Sequence, residues 1–395
     1  MKAIKISEHV YWVGAIDWGV RNFHGYLTDQ GTSYNAFLIL ADKVTLIDTV
    51  KVAFTEELLA RIASVIDPQK IDYIISNHSE PDHSGALARV IKKIKPAKVF
   101  ASILGKQALE NYYPNLEIEI TPVKHEEVLN LGNLNLKFLE TKMIHWPDSM
   151  FSYLVEEKLL FSQDAFGMHL ASVERFDDEL SWSLLEQQSE EYYANIVTPF
   201  SPQVSALLKK VQELGLEFNL IAPDHGPVWR NLKNFAKVIN LYQKWSAREL
   251  DKKVVIVYDT MWKSTEKMAR QIEDGVRTEG VLVKTLPLYA AERSKVASEM
   301  LAASALIVGA PTLNNNLFPS VADVLTYLKG LKFKTPYGAV FGSFGWSGEA
   351  TKQLKNYLEE MKIEVLGEVK SKYLPTPEEK EVCFNLGLEV AKKIK

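Results

Sequence analysis

The sequence predicts an α/β protein of two domains: a two-sheet sandwich flanked by helices over residues 1–250, then a doubly wound, parallel, five-stranded sheet over 251–395. Three observations predict this. The first half strings together short apolar runs with little between them. From Lys252 the pattern becomes strict strand–helix alternation, the signature of a parallel sheet with crossover helices. The helical run "FAKVINLYQKWSAREL" (235–250) joins the halves with no Gly/Pro/Ser-rich linker, so the cut falls near residue 251.

In chain order, the first-half strands are "VYWVG" (10–14), "SYNAFLIL" (33–40), "VTLID" (44–48), "IDYIIS" (71–76), "AKVFAS" (97–102), "LNLKFLE" (134–140), "MFSYLVEE" (150–157) and "KLLFS" (158–162). Helical spacing of apolar residues marks 54–66, 85–95, 183–217 and 231–250. In the second half "KVVIVYDT" (253–260) precedes a helix over 265–279, and "VLVKTLPL" (281–288) one over 293–303. "ALIVGAPT" (305–312) precedes 319–330, "YGAVFGSFG" (337–345) precedes 348–362, and "EVLGEVKSKYLP" precedes 377–394. No repeat or low-complexity tract interrupts this order.

Bulk properties exclude several classes. A net charge of −4 gives no electrostatic reason to expect nucleic acid or an anionic membrane as partner. No apolar run approaches the roughly 18 residues of a membrane span, and the N-terminus lacks a signal-peptide core. Cys383 is the single cysteine, so neither an internal disulfide nor a cysteine-held metal is expected. The cytoplasm is the expected compartment.

"NHSEPDHSG" (77–85) concentrates metal-binding groups. His78, Glu80 and Asp82 alternate, so an extended chain past "YIIS" would point all three to one side. Pro81 keeps its predecessor extended, and a helix then opens at Asp82 or His83. Burying carboxylates this close together without a partner is costly, and a cation among them removes the difficulty. "MIHWPDS" adds His145, "FSQDAFG" adds Asp164 and "APDHGPVW" adds His225, each after an apolar run and beside Pro or Gly. His9, His125 and His169 have no such company and are expected at the surface.

With "LIDT", "NHSEPDHSGAL", "HWPD", "SQDAFG" and "DHG" in this order, the first half resembles the metallo-β-lactamase-like αββα domain of the flavodiiron proteins. The second half resembles flavodoxin, the other domain of that family, so the resemblance covers essentially the whole chain. It implies two non-haem irons. One takes His78, Glu80 and His145, the other Asp82, His83 and His225, with Asp164 as the bridging carboxylate. The residue at the His83 position does not bind metal in every family member. Zinc hydrolases of this fold carry histidine where Glu80 stands; two histidines and a carboxylate per metal suit ferrous iron that handles oxygen. Three carboxylates and one hydroxide would balance two ferrous ions.

The loop "DTMWKSTEKMA" follows the first strand of the second half. Its residues Thr260, Met261, Trp262, Lys263, Ser264 and Thr265 offer hydroxyls and amides at a helix N-terminus, which favours a phosphate. Alone, such a loop reads more readily as a plain helix cap, and Asp259 would repel a phosphate unless turned away. Two further loops leave the carboxyl ends of neighbouring strands, where open α/β sheets bind ligands. One carries Pro311, Thr312, Leu313, Asn314 and Asn315; the other Ser343, Phe344, Gly345, Trp346, Ser347 and Gly348. The three resemble a flavodoxin FMN site. Trp262, Phe344 and Trp346 either stack on its ring or anchor the loops. No Gly-x-Gly-x-x-Gly points to a nicotinamide cofactor instead.

The resemblance implies an enzyme reducing dioxygen to water, nitric oxide to nitrous oxide, or both, with electrons relayed through FMN. Two ferrous ions and a reduced flavin store the four electrons that dioxygen needs. It also implies a head-to-tail homodimer, possibly paired again into a tetramer. With one cysteine the chain carries no fused rubredoxin, so a separate donor is expected: rubredoxin, or a reduced deazaflavin coenzyme. His24 and Tyr193, or its neighbour Tyr192, match residues around the family pocket, and Trp146 beside His145 is either pocket lining or core. The rival readings are a metal-dependent hydrolase carrying a flavodoxin-like module, and a plain electron carrier.

Overall fold

Period-two alternation sets the architecture of the first half. In the strand Tyr73–Ser76, Ile74 packs to one side and Ile75 to the other; Leu46 and Ile47 do the same in Thr45–Ile47. The computed structural model describes residues 1–395 and divides them into two compact units. The first comprises Met1–Tyr192 and Pro202–Gln243, the second Tyr193–Ser201 and Lys244–Lys395.

The first unit holds two sheets. A seven-stranded sheet runs in the order Ile4–Lys5, Val10–Trp12, Phe37–Ile39, Thr45–Ile47, Tyr73–Ser76, Lys98–Ser102, Ile120–Val123, and its last four strands are parallel. A five-stranded sheet runs Val128–Asn130, Asn135–Glu140, Met150–Leu154, Leu159–Gln163, Leu220–Pro223, antiparallel except for its final pair. Their inner faces meet in one core: Phe37, Ile47, Ile75 and Phe100 from the first sheet, Phe138, Met150, Leu159 and Phe161 from the second. Outside the first sheet, Leu58 and Ile62 of the helix Thr55–Ala63, with Leu87, Val90 and Ile91 of Leu87–Ile94, cover Leu38, Leu46 and Ile74.

The second unit is a parallel sheet. Its order is Leu282–Pro287, Asp251–Tyr258, Ala303–Leu313, Tyr337–Phe344, Glu364–Lys372, that is second, first, third, fourth, fifth. Val254 and Ile256 face the helices Ser264–Thr278 and Pro377–Ile394. Val255 and Val257 face Arg293–Met300, Pro319–Leu331 and Ala350–Glu360. All five predicted strands and helices of this half are present.

Four strands of the first unit's two sheets and a helix lie outside the sequence expectations, the short edge strands Ile4–Lys5 and Val128–Asn130 among them. "ITPV" at 120–123 contains a proline, and "LIAP" at 220–223 is short and ends on one. The helix Ile103–Tyr112 has a capping serine, Ser102, whose hydroxyl accepts the Gly105 N–H. The helical expectation over 183–217 breaks at Tyr193–Val197, a π-turn followed by the 3₁₀ turn Thr198–Phe200. No helix is long and apolar enough to cross a membrane.

Close backbone approach makes two glycines indispensable. A Cβ on Gly387 would overlap the Ile272 carbonyl, and one on Gly275 the Phe384 carbonyl, where the helices Ser264–Thr278 and Pro377–Ile394 cross. Gly387→Ala is expected to cost about 1–3 kcal/mol of second-unit stability. Gly330→Ala, in a helix with open space around it, should be neutral or gain up to about 1 kcal/mol. Urea unfolding followed by near-ultraviolet circular dichroism checks both; equal midpoints would contradict the packing argument. Burial pushes the Cys383 thiol up to about 12, so a thiol reagent at pH 8 should label the unfolded chain and spare the native one.

Candidate metal centre and cofactor cleft

Strand ends and one helical turn deliver the metal-binding side chains. Tyr73–Ser76 leads to His78 and Glu80, Leu159–Gln163 to Asp164, and Leu220–Pro223 to Asp224 and His225. Asp48 fixes the start of the first loop, accepting the backbone N–H of Asn77 and its side-chain amide, each at 2.7 Å. The chain does not stay extended to Asp82. Pro81 opens a helical turn, Pro81–Ser84, that carries both Asp82 and His83. That turn, rather than strand alternation, brings Asp82 onto the side of His78 and Glu80.

The structure gathers all seven expected ligands. Four overlapping sets each place their ligand atoms within 4.8 Å of one another: Glu80, His145 and Asp164; Asp82, His83 and His225; His78, Glu80 and Asp82; and His78, His83, Asp164 and Asp224. Asp164 faces both sides, 2.8 Å from His145 Nε2 by one oxygen and 3.6 Å from His225 Nε2 by the other. His225 Nδ1 donates to the Ser33 carbonyl at 2.7 Å, which turns Nε2 toward Asp82 and His83.

Charge inside the cluster is tightly linked. Burial would push His78 down, but Asp164, Asp224 and Glu80 hold it well above the usual range. Burial would push Asp82 and Asp164 up, but the surrounding imidazoles hold both well below it. Asp224 is different. Burial first, and Asp48 second, drive its carboxyl well above the ordinary value. Its Oδ2 lies 3.4 Å from His78 Nδ1 and 3.8 Å from His83 Nδ1, while the Nε2 atoms of both rings face Asp164.

The donor set fits a pair of divalent cations. His78 Nε2, both oxygens of Asp82, and Asp164 Oδ1 are buried without a hydrogen-bond partner. Each such orphan costs on the order of 1–3 kcal/mol, more for charged groups, and metal ions would satisfy them together.

Around the cluster, the structure amends two expectations, those for Tyr193 and His169. His24 lies at its edge, Nε2 3.2 Å from Glu80 Oε1. Tyr193 is elsewhere: its hydroxyl meets Ser201 at 3.1 Å, its ring packs on Trp245, and it belongs to the second unit. Tyr192 takes the place beside the cluster, its ring 6.0 Å from that of His225. His169 is fully buried, against expectation, with its ring 4.7 Å from His225 and Nδ1 2.9 Å from the Thr32 hydroxyl. Trp146 is half-buried beside Tyr112. His9 and His125 are partly exposed and bonded to Glu157 and Lys210.

The second unit carries a cleft of about 570 Å³ at the carboxyl ends of its strands. The expected loops line it through Met261, Trp262 and Ser264, through Pro311 to Asn315, and through Ser343 to Ser347. Tyr373 and Leu374, after the fifth strand, form a further wall that the sequence reading missed. Thr260, Lys263, Thr265 and Gly348 are not among the lining residues; the Thr265 and Ser343 hydroxyls meet at 2.9 Å. Asp259 is engaged inward, accepting the Thr260 N–H and the Ser320 hydroxyl. The Thr260 hydroxyl is buried without a partner. Trp262 and Trp346 are both 86% exposed on the rim.

Comparison with known proteins matches the two units separately and together. Residues 32–226 match the "ODP family beta lactamase" model and residues 256–387 the flavodoxin model. The structure superposes on rubredoxin oxygen:oxidoreductase from Desulfovibrio gigas with a TM-score of 0.97 at 43% identity, covering 100% of this chain and 98% of that one. For the flavodiiron protein from Giardia intestinalis the values are 0.95 and 35%, covering 100% and 97%.

The chain belongs to the flavodiiron proteins. Its flavodiiron relatives also include a nitric oxide reductase from Moorella thermoacetica, 41% identical over 99% of this chain and 98% of the relative. A coenzyme F420H(2) oxidase from Methanothermobacter marburgensis is 41% identical over 100% and 99%. The family's cofactors, two non-haem irons and FMN, are those the cluster and the cleft fit.

Metal should stabilise the first unit strongly. Ferrous iron at about 100 times its dissociation constant adds roughly 2.7 kcal/mol by mass action. Anaerobic calorimetry should therefore show a lower melting temperature after chelation and recovery on adding iron back. Asp164→Asn should blunt that recovery; an identical response would remove Asp164 from the metal set.

Proposed function

We propose that this flavodiiron protein reduces dioxygen to water, nitric oxide to nitrous oxide, or both, with electrons passed through FMN. One observation carries the reading. A cluster of four histidines and three carboxylates, in which atoms of His78, Asp82 and Asp164 are buried without a hydrogen-bond partner, shares one chain with a flavin-sized cleft. Hydrolysis has no use for the flavin, and the full-length relatives are named for redox reactions.

His78, Glu80 and His145 would hold one iron; Asp82, His83 and His225 the other; Asp164 would bridge. When bound, the irons and the flavin supply the reducing electrons and an open position for a diatomic gas. The protein's own groups do the rest. His24 Nε2, beside Glu80 Oε1 and largely exposed, is placed to carry a proton between solvent and the site. Phe23, His169 and Tyr192 pack around His225 and limit water on that side.

Rubredoxin is the proposed donor, with a reduced deazaflavin coenzyme as the second choice, since relatives are named for each. The single buried cysteine and the absence of any membrane-crossing helix suit a cytoplasmic enzyme. We further propose a head-to-tail homodimer in which the flavin of one subunit serves the irons of the other.

One anaerobic preparation tests the whole reading. Iron and FMN are assayed per chain, then reduced rubredoxin is offered with each gas, and gas uptake and nitrous oxide are followed. About two irons and one FMN per chain with turnover of at least one gas is the expected result; zinc without flavin would sink the proposal. His78→Ala should lower turnover more than about 100-fold while FMN content stays unchanged, whereas an electron carrier would lose nothing. Turnover per chain should fall as dilution dissociates the dimer.

A further inference from the structure

We propose that Asn35 is a positioning residue for the metal centre: its side-chain amide, oriented by the Trp12 indole, clamps the backbone on both sides of His225 and so aims that ligand. The inference rests on the reading of the cluster as a two-metal site.

Asn35 interrupts the strand pattern between Thr32–Tyr34 and Phe37–Ile39 and is 1% exposed. Every polar atom of its side chain is used. Oδ1 accepts the Trp12 indole N–H at 2.8 Å; Nδ2 donates to the Pro223 carbonyl at 2.7 Å and to the Gly226 carbonyl at 2.9 Å. The backbone N–H of Asn35 donates to the Asp224 carbonyl at 2.7 Å. One residue thus grips three of the four positions 223–226, the segment that carries Asp224 and His225.

The amide orientation follows from chemistry. An indole N–H only donates, so the atom facing it must be the amide oxygen, and the –NH₂ must then meet the two carbonyls. Trp12 cannot easily turn away, because the Arg61 and Arg175 guanidiniums lie 4.8 Å and 4.7 Å from its ring centre. Neighbouring residues complete the grip on this loop: Ser33 Oγ accepts the Gly226 N–H at 2.8 Å, and the Ser33 carbonyl takes His225 Nδ1–H. The same short segment therefore sets the backbone, the ring and the tautomer of His225.

Only asparagine suits this position. Aspartate has the same shape, but it would aim oxygen at two carbonyl oxygens and offer them no donor. Alanine would leave both carbonyls and the indole N–H unpaired. Either change frees the loop on the His225 side and leaves His145 and Glu80, on other segments, in place.

The test loads wild type, Asn35→Asp, Asn35→Ala and Trp12→Phe anaerobically with ferrous iron-57. It reads Mössbauer spectra, iron release to a ferrous chelator, FMN content and the melting of the metal-free chain. For Asn35→Asp the expected result is selective loss of one iron signal and release about 10–100-fold faster. FMN content and metal-free melting should stay near wild type. Asn35→Ala and Trp12→Phe should move the same way, less far. Two results would overturn the clamp: both signals kept at the wild-type release rate, or both irons lost equally as the metal-free chain destabilises. Should Asn35→Asp fail to fold, Trp12→Phe decides by the same criteria. Wild type that binds no iron would overturn the metal-site reading and the clamp together; wild type and Asn35→Asp both binding two irons and releasing them at one rate overturns the clamp alone.

Discussion

Five carboxylates, Asp48, Glu80, Asp82, Asp164 and Asp224, are buried in one region of the first unit, interleaved with His78, His83, His145 and His225. This concentration of buried carboxyl groups is the constraint on which the rest depends. An unpaired buried ion costs several kcal/mol even after relaxation, so such a site persists only where counter-charge is assured. Imidazoles supply part of it, and the orphaned ligand atoms show how much is left for cations. The surrounding fold is organised accordingly. Strands stop where ligands begin, Pro81 starts a helical turn within the motif, and Asp48 and Asn35 tie the ligand loops to their neighbours.

The second unit solves a different problem by different means. Its cleft needs no buried charge, because a parallel sheet leaves loops and helix N-termini together at one edge. The loop at 260–265 supplies hydroxyls and amides there, with Asp259 turned to Ser320, and the left-handed backbone at Lys263 starts the helix. Its aromatic rim is exposed, with Trp262 and Trp346 mostly in solvent. A buried centre that excludes water and an accessible flavin edge are complementary requirements for moving electrons to a gas.

Much of the site was legible because its ligands sit in short motifs whose spacing is chemical. "NHSEPDHSG" declares itself by density, and "HWPD", "SQDAFG" and "DHG" by their order. What escaped was whatever depended on facing. Tyr192 and Tyr193 are adjacent, and the π-turn beginning at Tyr193 sends the second ring to Trp245 and leaves the first beside His225. His169 has no cluster around it in sequence, yet it packs against His225 from 56 positions away. Asp224 lay inside a quoted motif, but nothing local marks it as the carboxylate behind two histidines. Asn35, in an apolar strand, gives no sign of its four hydrogen bonds.

By itself the sequence determined the class of each half, the alternation of strands and helices along the second half, the residue types able to bind metal, and three of the loops that line the cleft. Those follow from periodicity and from residue chemistry, which are local. Tertiary structure alone decided which carboxylates face inward without a partner, which tyrosine stands at the centre, where the fifth-strand loop closes the cleft, and what holds His225 in place. These are relations between residues far apart in the chain, and they are set by packing, which no single segment encodes.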